Sequence, residues 1–271
     1  MYTKAKHENV GSHLDENTSY YHFGLFGHVK NGVIKNVRLK NVNITNGMTN
    51  GYVRSLQGTG SLIGHTSGEV LVDNVKILGD IFISGEYKVG GIIGSSSGSC
   101  IKVSNSIVKG SLNSLISGTD KLYKDTNNFG GLIGFSGTTT VLENVISDIN
   151  VDGYTCGGIV GNVTDGSFSL TNAGIYGNIS NSEGSVVGGI IGGRFVDMSL
   201  KNCYFLGSVF SKEKDYVDVL VSKYGDGFVT ISKEEVYFNM DNYDSSLISN
   251  SIDGIGKSLE ELKNIVPSDL K

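Results

Sequence analysis

The sequence predicts an all-β fold, a parallel β-solenoid of six to seven rungs followed by a short C-terminal helix, and two recurring columns of residues carry that reading. A signal of two apolar residues between small ones recurs as Gly24-Leu25-Phe26-Gly27, Ser61-Leu62-Ile63-Gly64, Gly91-Ile92-Ile93-Gly94, Gly131-Leu132-Ile133-Gly134, Gly158-Ile159-Val160-Gly161 and Gly189-Ile190-Ile191-Gly192. The second glycines lie 37, 30, 40, 27 and 31 residues apart. A period of this length marks stacked units, none of which can bury its own apolar face. Nine to eleven residues after each second glycine stands an asparagine: Asn36, Asn74, Asn105, Asn144, Asn172 and Asn202. Composition agrees, with 39 glycines, one proline, no tryptophan and an abundance of Val, Ile, Ser and Asn, which suits strands joined by turns.

Within each unit the elements follow one order. The glycine signal forms a corner that requires positive φ or a close approach of backbone to the adjoining rung. A half-buried strand follows, read from alternation such as Val70, Val72, Val75 and Ile77. The asparagine closes it, its side-chain amide placed to hydrogen-bond with its copies above and below, so this column is a structural ladder. The next residues, Val37, Val75, Ser106, Val145, Ala173 and Cys203, are uniformly small and belong inside the stack. A second turn is marked by Gly79-Asp80, Gly110-Ser111, Ser147-Asp148, Gly177-Asn178 and Gly207-Ser208, and a third apolar strip leads to the next glycine pair. Three strips and three turns describe a triangular rung, stacked in parallel at about 4.8 Å. Short Asn-Gly or Asp-Gly hairpins are not systematic, which argues against an antiparallel sandwich or propeller.

The chain divides into a lead-in at 1–22, repeats at 23–240 and a C-terminal cap at 241–271. Two insertions, 45–58 and 113–128, are expected to project from corners, where binding loops sit. In the last rung Val217-Asp218-Val219-Leu220-Val221 replaces the glycine pair. Ser258 and Glu261 have capping-box spacing and open a helix through Leu259 to Lys263, expected to cover the strand edges of the last rung.

A net charge of -5 and only three arginines, Arg38, Arg54 and Arg194, argue against a nucleic-acid surface. No apolar run approaches the eighteen or so residues of a membrane helix, and the polar start has no apolar signal-peptide region. Membrane insertion is therefore not expected. Cys100, Cys156 and Cys203 lie in no CxxC and read as small buried hydrophobes.

The pattern Gly-apolar-apolar-Gly followed by Gly-x-apolar-x-Asn-apolar resembles the GLUG motif. It is clearest in Gly24-Leu25-Phe26-Gly27 with Gly32-Val33-Ile34-Lys35-Asn36-Val37, and in Gly189-Ile190-Ile191-Gly192 with Lys201-Asn202-Cys203-Tyr204. The resemblance spans Phe23 to Asn239. It implies a right-handed parallel β-helix at a bacterial surface or in a secreted protein, of adhesin type or as the accessory, non-catalytic part of an immunoglobulin A-cleaving peptidase of the M26 type. Because such proteins are exported, the chain is expected to be either the C-terminal piece of a longer surface protein or one whose Met1 is not the natural start. The resemblance implies no chemistry of its own.

Residue patterns add little chemistry. His7-Glu8 is followed by Gly11 where HExxH needs its second histidine, and His22 and His28 flank a turn without neighbouring cysteine or aspartate ligands. No metal, cofactor or catalytic residue is expected. The enzymatic alternative is a carbohydrate-active β-helix, which needs carboxylates or a carboxylate and a base on consecutive rungs. Its candidates, Asp80 and Asp148, alternate with Ser111 and Asn178 in the manner of ordinary turns, and Arg194 with Asp197 is a lone pair. Partners are expected to be a host protein or glycan, contacted through exposed aromatics of which Tyr87, Tyr123 and Tyr154 are the candidates.

Overall fold

The computed structural model describes residues 22–46, 58–85, 87–114, 127–181, 186–212, 216–222, 224, 229–242 and 254–271. These form a parallel β-helix of seven rungs. Each rung opens with a short strand, at His22–Phe23, Gly58–Gly60, Lys88–Gly90, Asn128–Gly130, Thr155–Gly157, Val186–Gly188 and Tyr216–Asp218, and each pairs in parallel with its copy in the next rung. After a two-residue link comes the long side, beginning at Phe26, Ile63, Ile93, Ile133, Val160 and Ile191, which also pairs in parallel from rung to rung. Seven layers at about 4.8 Å give a stack roughly 30 Å tall.

The glycine signal works through its apolar pair. Leu62 and Ile63, Ile92 and Ile93, Leu132 and Ile133, Ile159 and Val160, and Ile190 and Ile191 are all 0% exposed and stack along the core. Burying each such side chain contributes about 1.5–3 kcal/mol. The glycine after the pair is required by contact between backbones. A Cβ on Gly134 would lie 2.5 Å from Val89 N and 2.6 Å from Gly94 O in the preceding rung. Of the two expected reasons, close approach holds; positive φ does not, since the positive-φ glycines are Gly68, Gly79, Gly98, Gly110 and Gly166.

The asparagine ladder is present. All six asparagines have positive φ, between 50° and 59°, a conformation asparagine tolerates better than most residues. Asn74 Nδ2 donates to Asn36 Oδ1 at 2.7 Å, Asn144 to Asn105 at 3.1 Å, Asn172 to Asn144 at 3.0 Å and Asn202 to Asn172 at 2.9 Å. One step is diverted: Asn105 Nδ2 donates to Asp73 Oδ1 at 2.8 Å. The seventh place in the column is held by Glu235, also at positive φ. The small residues that follow point inward as expected, with Val75, Val145, Ala173 and Cys203 all fully buried. Cys156 and Cys203 are buried and free, as the sequence suggests, whereas Cys100 is only partly buried.

Three expectations are corrected. The rung is not a simple triangle, because Asn31, Gly68, Gly98 and Gly166 make a further left-handed bend within the long side. The second turn is framed differently in the fourth rung: Asn150, not Asp148, aligns with Ser111 and Asn178, and Asp148 instead pairs with Lys109 at 3.1 Å. Ile149 stands there in register with Gly110 of the third rung, so no glycine marks the place. Finally, the strand edge of the last rung is covered by a short strand, and the helix lies against the side of that rung. Residues Ile255–Lys257 pair with Tyr237–Asn239 at that edge, and the helix Leu259–Ile265 then turns back along the side of the coil.

The helix has its capping box. Ser258 Oγ accepts from Glu261 N at 3.2 Å and Ser258 N donates to Glu261 Oε2 at 2.9 Å. Leu262, Val266 and Leu270 pack on Ile146, Tyr204 and Leu206, with Ile107, Tyr176 and Tyr237 at the margin. These receivers belong largely to one outward column: Arg38, Lys76, Ile107, Ile146, Gly174, Tyr204 and Tyr237. The column is cationic in the first two rungs and apolar afterwards, which decides where the tail lies. At Gly174 a Cβ would come within 2.8 Å of Leu270 O, so the missing side chain makes room for the tail, and Tyr176 Oη donates to the same carbonyl at 2.5 Å.

Candidate functional site

The corner made by the glycine signal folds the chain so tightly that side chains of the short strand meet outward side chains of the long side. The short strands contribute the column His22, Gly58, Lys88, Asn128, Thr155, Val186 and Tyr216. The long sides contribute His28, His65, Ser95, Phe135, Asn162 and Gly193, each one residue after a second glycine. The two columns interlock one rung out of step. His22 of the first rung stacks on His65 of the second, with ring centroids 4.6 Å apart, and Lys88 Nζ of the third lies 4.0 Å from the centre of the Phe135 ring of the fourth. A Cβ on Gly58 would meet Ser95 Oγ at 2.5 Å, which places that pair on the same seam.

The middle of the seam carries polar side chains shielded from water. Lys88 is 8% exposed, Asn128 1% and Asn162 5%. Several of its polar atoms have no protein partner: His22 Nδ1, both amide atoms of Asn128, and Asn162 Oδ1. Buried polar groups left unpaired are costly, so each of these atoms is a place where a further hydrogen-bond partner would be favoured.

At its N-terminal end three imidazoles converge. His28 lies 5.2 Å from His65 and 6.1 Å from His22 between ring centroids. His28 Nε2 shares a hydrogen bond with Ser67 Oγ at 2.8 Å; His65 engages Ser95 Oγ through Nδ1 at 2.8 Å and Ser97 Oγ through Nε2 at 3.1 Å. Burial, then the neighbouring His28 and Lys88, hold His22 down to about 4. Burial, then His22, His28 and Lys88, hold His65 down to about 3, and burial brings the Lys88 ammonium down to about 8. His28 is lowered too, by burial and by Lys30.

This arrangement limits the chemistry. Serine beside histidine suggests a nucleophile and its base, yet a base titrating near 3 is far from the range that serves proton transfer at neutral pH, and no carboxylate orients it. Among the described residues no group of three or more His, Cys, Asp or Glu is arranged to hold a metal ion. The seam is a cluster of neutral rings around one sheltered cation.

The residues singled out in the sequence are distributed otherwise. Tyr87 and Tyr154 occupy the same corner two rungs apart, flanking Asn127, whose Oδ1 accepts from Tyr154 N at 3.0 Å. Tyr87 is 2% exposed and is part of the packing, not a surface ring; Tyr154 is half-buried. Tyr123 and most of both insertions lie outside the described residues, as do His7 and His13. Asp80 is a corner residue whose N–H donates to Asn41 Oδ1 at 3.2 Å, and Asp197 Oδ1 accepts from Thr230 N at 2.8 Å. The histidine cluster escaped the sequence reading because its members are up to 43 residues apart. The available signal was the shared position of His28 and His65 directly after the second glycine.

No protein-family model matches the chain, and no curated protein matches it. Among the described residues no helix is long and apolar enough to cross a membrane.

Proposed function

We propose that the chain is a rigid, non-catalytic module of a bacterial cell-surface or secreted protein, a GLUG-type β-helix that serves as spacer and adhesin toward a host protein or glycan. The distribution of its outer charges supports this reading most. Lys35 pairs with Asp73 at 3.7 Å, Lys102 with Glu143 at 2.6 Å, Lys109 with Asp148 at 3.1 Å and Lys201 with Glu234 at 2.8 Å. Each pair bridges two rungs on a solvated face, where ion pairs contribute at most about 1 kcal/mol. Glycan cleavage needs two carboxylates, or a carboxylate and a base, aimed at one bond. Here each of these carboxylates has its own lysine, and the sheltered base Lys88 has none of these carboxylates as partner.

Side-chain ladders that link most of the rungs and a core shared by all of them suit a module whose work is to hold its shape. The test applies the purified protein to an array of immobilised glycans and host surface proteins, and separately to soluble polysaccharides. Saturable capture by one class of array member with no new chain ends released supports the adhesin reading. Release of reducing ends or of unsaturated uronate overturns the non-catalytic reading. Absence of capture removes the adhesin half and leaves the spacer.

A further inference from the structure

The N-terminal end of the seam gathers four basic side chains and three hydroxyls. His22 and Lys88 come from short strands, His28 and His65 from the long sides, and Ser67, Ser95 and Ser97 provide the hydroxyls. The charged groups that act on the three rings are one another, Lys88 and Lys30, with no aspartate or glutamate among them. We propose that this cluster is a binding site for a small oxyanion, a phosphate or sulfate, either free or carried on a sugar.

Three observations support it independently of the adhesin reading. An ammonium as sheltered as that of Lys88 is ordinarily paired with an anion, yet its Nζ lies over the Phe135 ring, and the charged form of Lys88 acts on the neighbouring His22 and His65. His22 Nδ1 is buried without a partner, a donor or acceptor in waiting. The cluster is also open to solvent at its edge: His28 and Ser97 are exposed, whereas Lys88 is buried. A tetrahedral oxyanion accepts several hydrogen bonds at once, and ammonium, imidazole N–H and hydroxyl groups all donate. In later rungs the short-strand column holds Asn128, Thr155 and Val186 and the long-side column Phe135, Asn162 and Gly193, so of these two columns only this end can supply the charge.

Binding would be coupled to proton uptake. Each ring that gains a proton becomes a double donor and a cation, which the bound anion favours and the empty cluster opposes. Affinity therefore rises as pH falls.

The test follows the imidazole Cε1–H signals by NMR while sodium sulfate or phosphate is added against sodium chloride of equal ionic strength, at pH 7.5 and 5.5. The expected result is saturable movement of the His22, His28 and His65 signals by sulfate or phosphate only, about tenfold tighter or more at pH 5.5. Lys88→Asn, which places the next rung's residue type in the column, and His65→Ser, which copies Ser95, are each expected to weaken binding by about tenfold or more. A sulfated monosaccharide that binds at least as tightly as sulfate assigns the ligand to a glycan; weaker binding assigns it to the free ion. Absence of saturation, equal movement with chloride, or unaltered affinity in Lys88→Asn overturns the proposal. If the variants do not fold, the wild-type titration alone decides.

Discussion

Asn202 donates to Asn172 but receives nothing on its own Oδ1, because the residue in register beyond it is Glu235, whose carboxylate has no proton to give. The ladder thus stops one rung before the strands do. Glu235 nonetheless holds the left-handed conformation of the column, with φ 55°. Glu235→Asn should relieve the backbone cost and supply the missing donor, a gain of about 1–2 kcal/mol. Thermal denaturation should show a midpoint higher by about 2–8 °C. An unchanged midpoint would show that Asn202 Oδ1 is already satisfied by water.

The seam fixes the sign of the pH dependence. An unfolded histidine takes up its proton near pH 6.5, while His22 and His65 in the fold resist until about 4 and about 3. Between those limits the unfolded chain binds more protons, so stability falls as pH drops from 6.5 toward 3. Lys88 acts in the same direction at the other end: lowered to about 8, it makes stability rise with pH between 8 and 10.5. Urea midpoints measured in chloride at pH 4.5, 7.5 and 9.5 should increase in that order, and His65→Ser should flatten the acid step while matching the parent at pH 7.5. A parent midpoint that is higher at pH 4.5 than at pH 7.5 would contradict the burial of these rings.

Leu262→Ala should free the tail without melting the coil. The substitution removes about 2–5 kcal/mol of packing, and a helix of seven residues cannot persist alone. Hydrogen exchange should lose protection over 259–270 while the amides of the 133–151 strand keep theirs, and Tyr204 and Leu206 should become accessible to a hydrophobic dye. Cooperative loss of protection in both regions would show that the tail is integral to the stack.

Glycines of the seam and of the rim should respond differently to alanine. At Gly134 the added Cβ meets only backbone atoms, the nearest at 2.5 Å, so Gly134→Ala should cost about 3 kcal/mol or prevent folding. At Gly27, the same position in the first rung, the one atom it meets within 4 Å is His22 O at 3.2 Å, a contact that a shift of a few tenths of an ångström relieves, and the cost should be less than about 1 kcal/mol. Equal midpoints for the two variants in denaturant would refute the backbone-contact account.

Sequence periodicity revealed what repeats and concealed what does not. The apolar pairs and Asn36 to Asn202 were legible because a solenoid returns each column to the same environment once per rung. Asp148 was misframed because the fourth rung has Ile149 in register with Gly110 of the third, leaving no glycine to set the alignment. The tail's place depended on the outward column from Arg38 to Tyr237, whose change from charge to apolar surface has meaning only once the strands are stacked. The meeting of His22, His28 and His65 needed more still, namely the one-rung offset across the seam, a quantity set by the tight glycine corner and not by any spacing in the chain.

The parallel pairing of rungs has a mechanical consequence. The 27 residues between Gly134 and Gly161 lie within one layer of the stack, about 4.8 Å thick. Drawn out, the same stretch reaches roughly 90 Å at about 3.3 Å per residue. A load that pulls the ends of the coil apart is carried by bonds lying along its direction, and when a layer yields the molecule lengthens almost twentyfold at that point while the layers behind it hold. A tether built this way stays short and stiff in still water and pays out chain one layer at a time under strain.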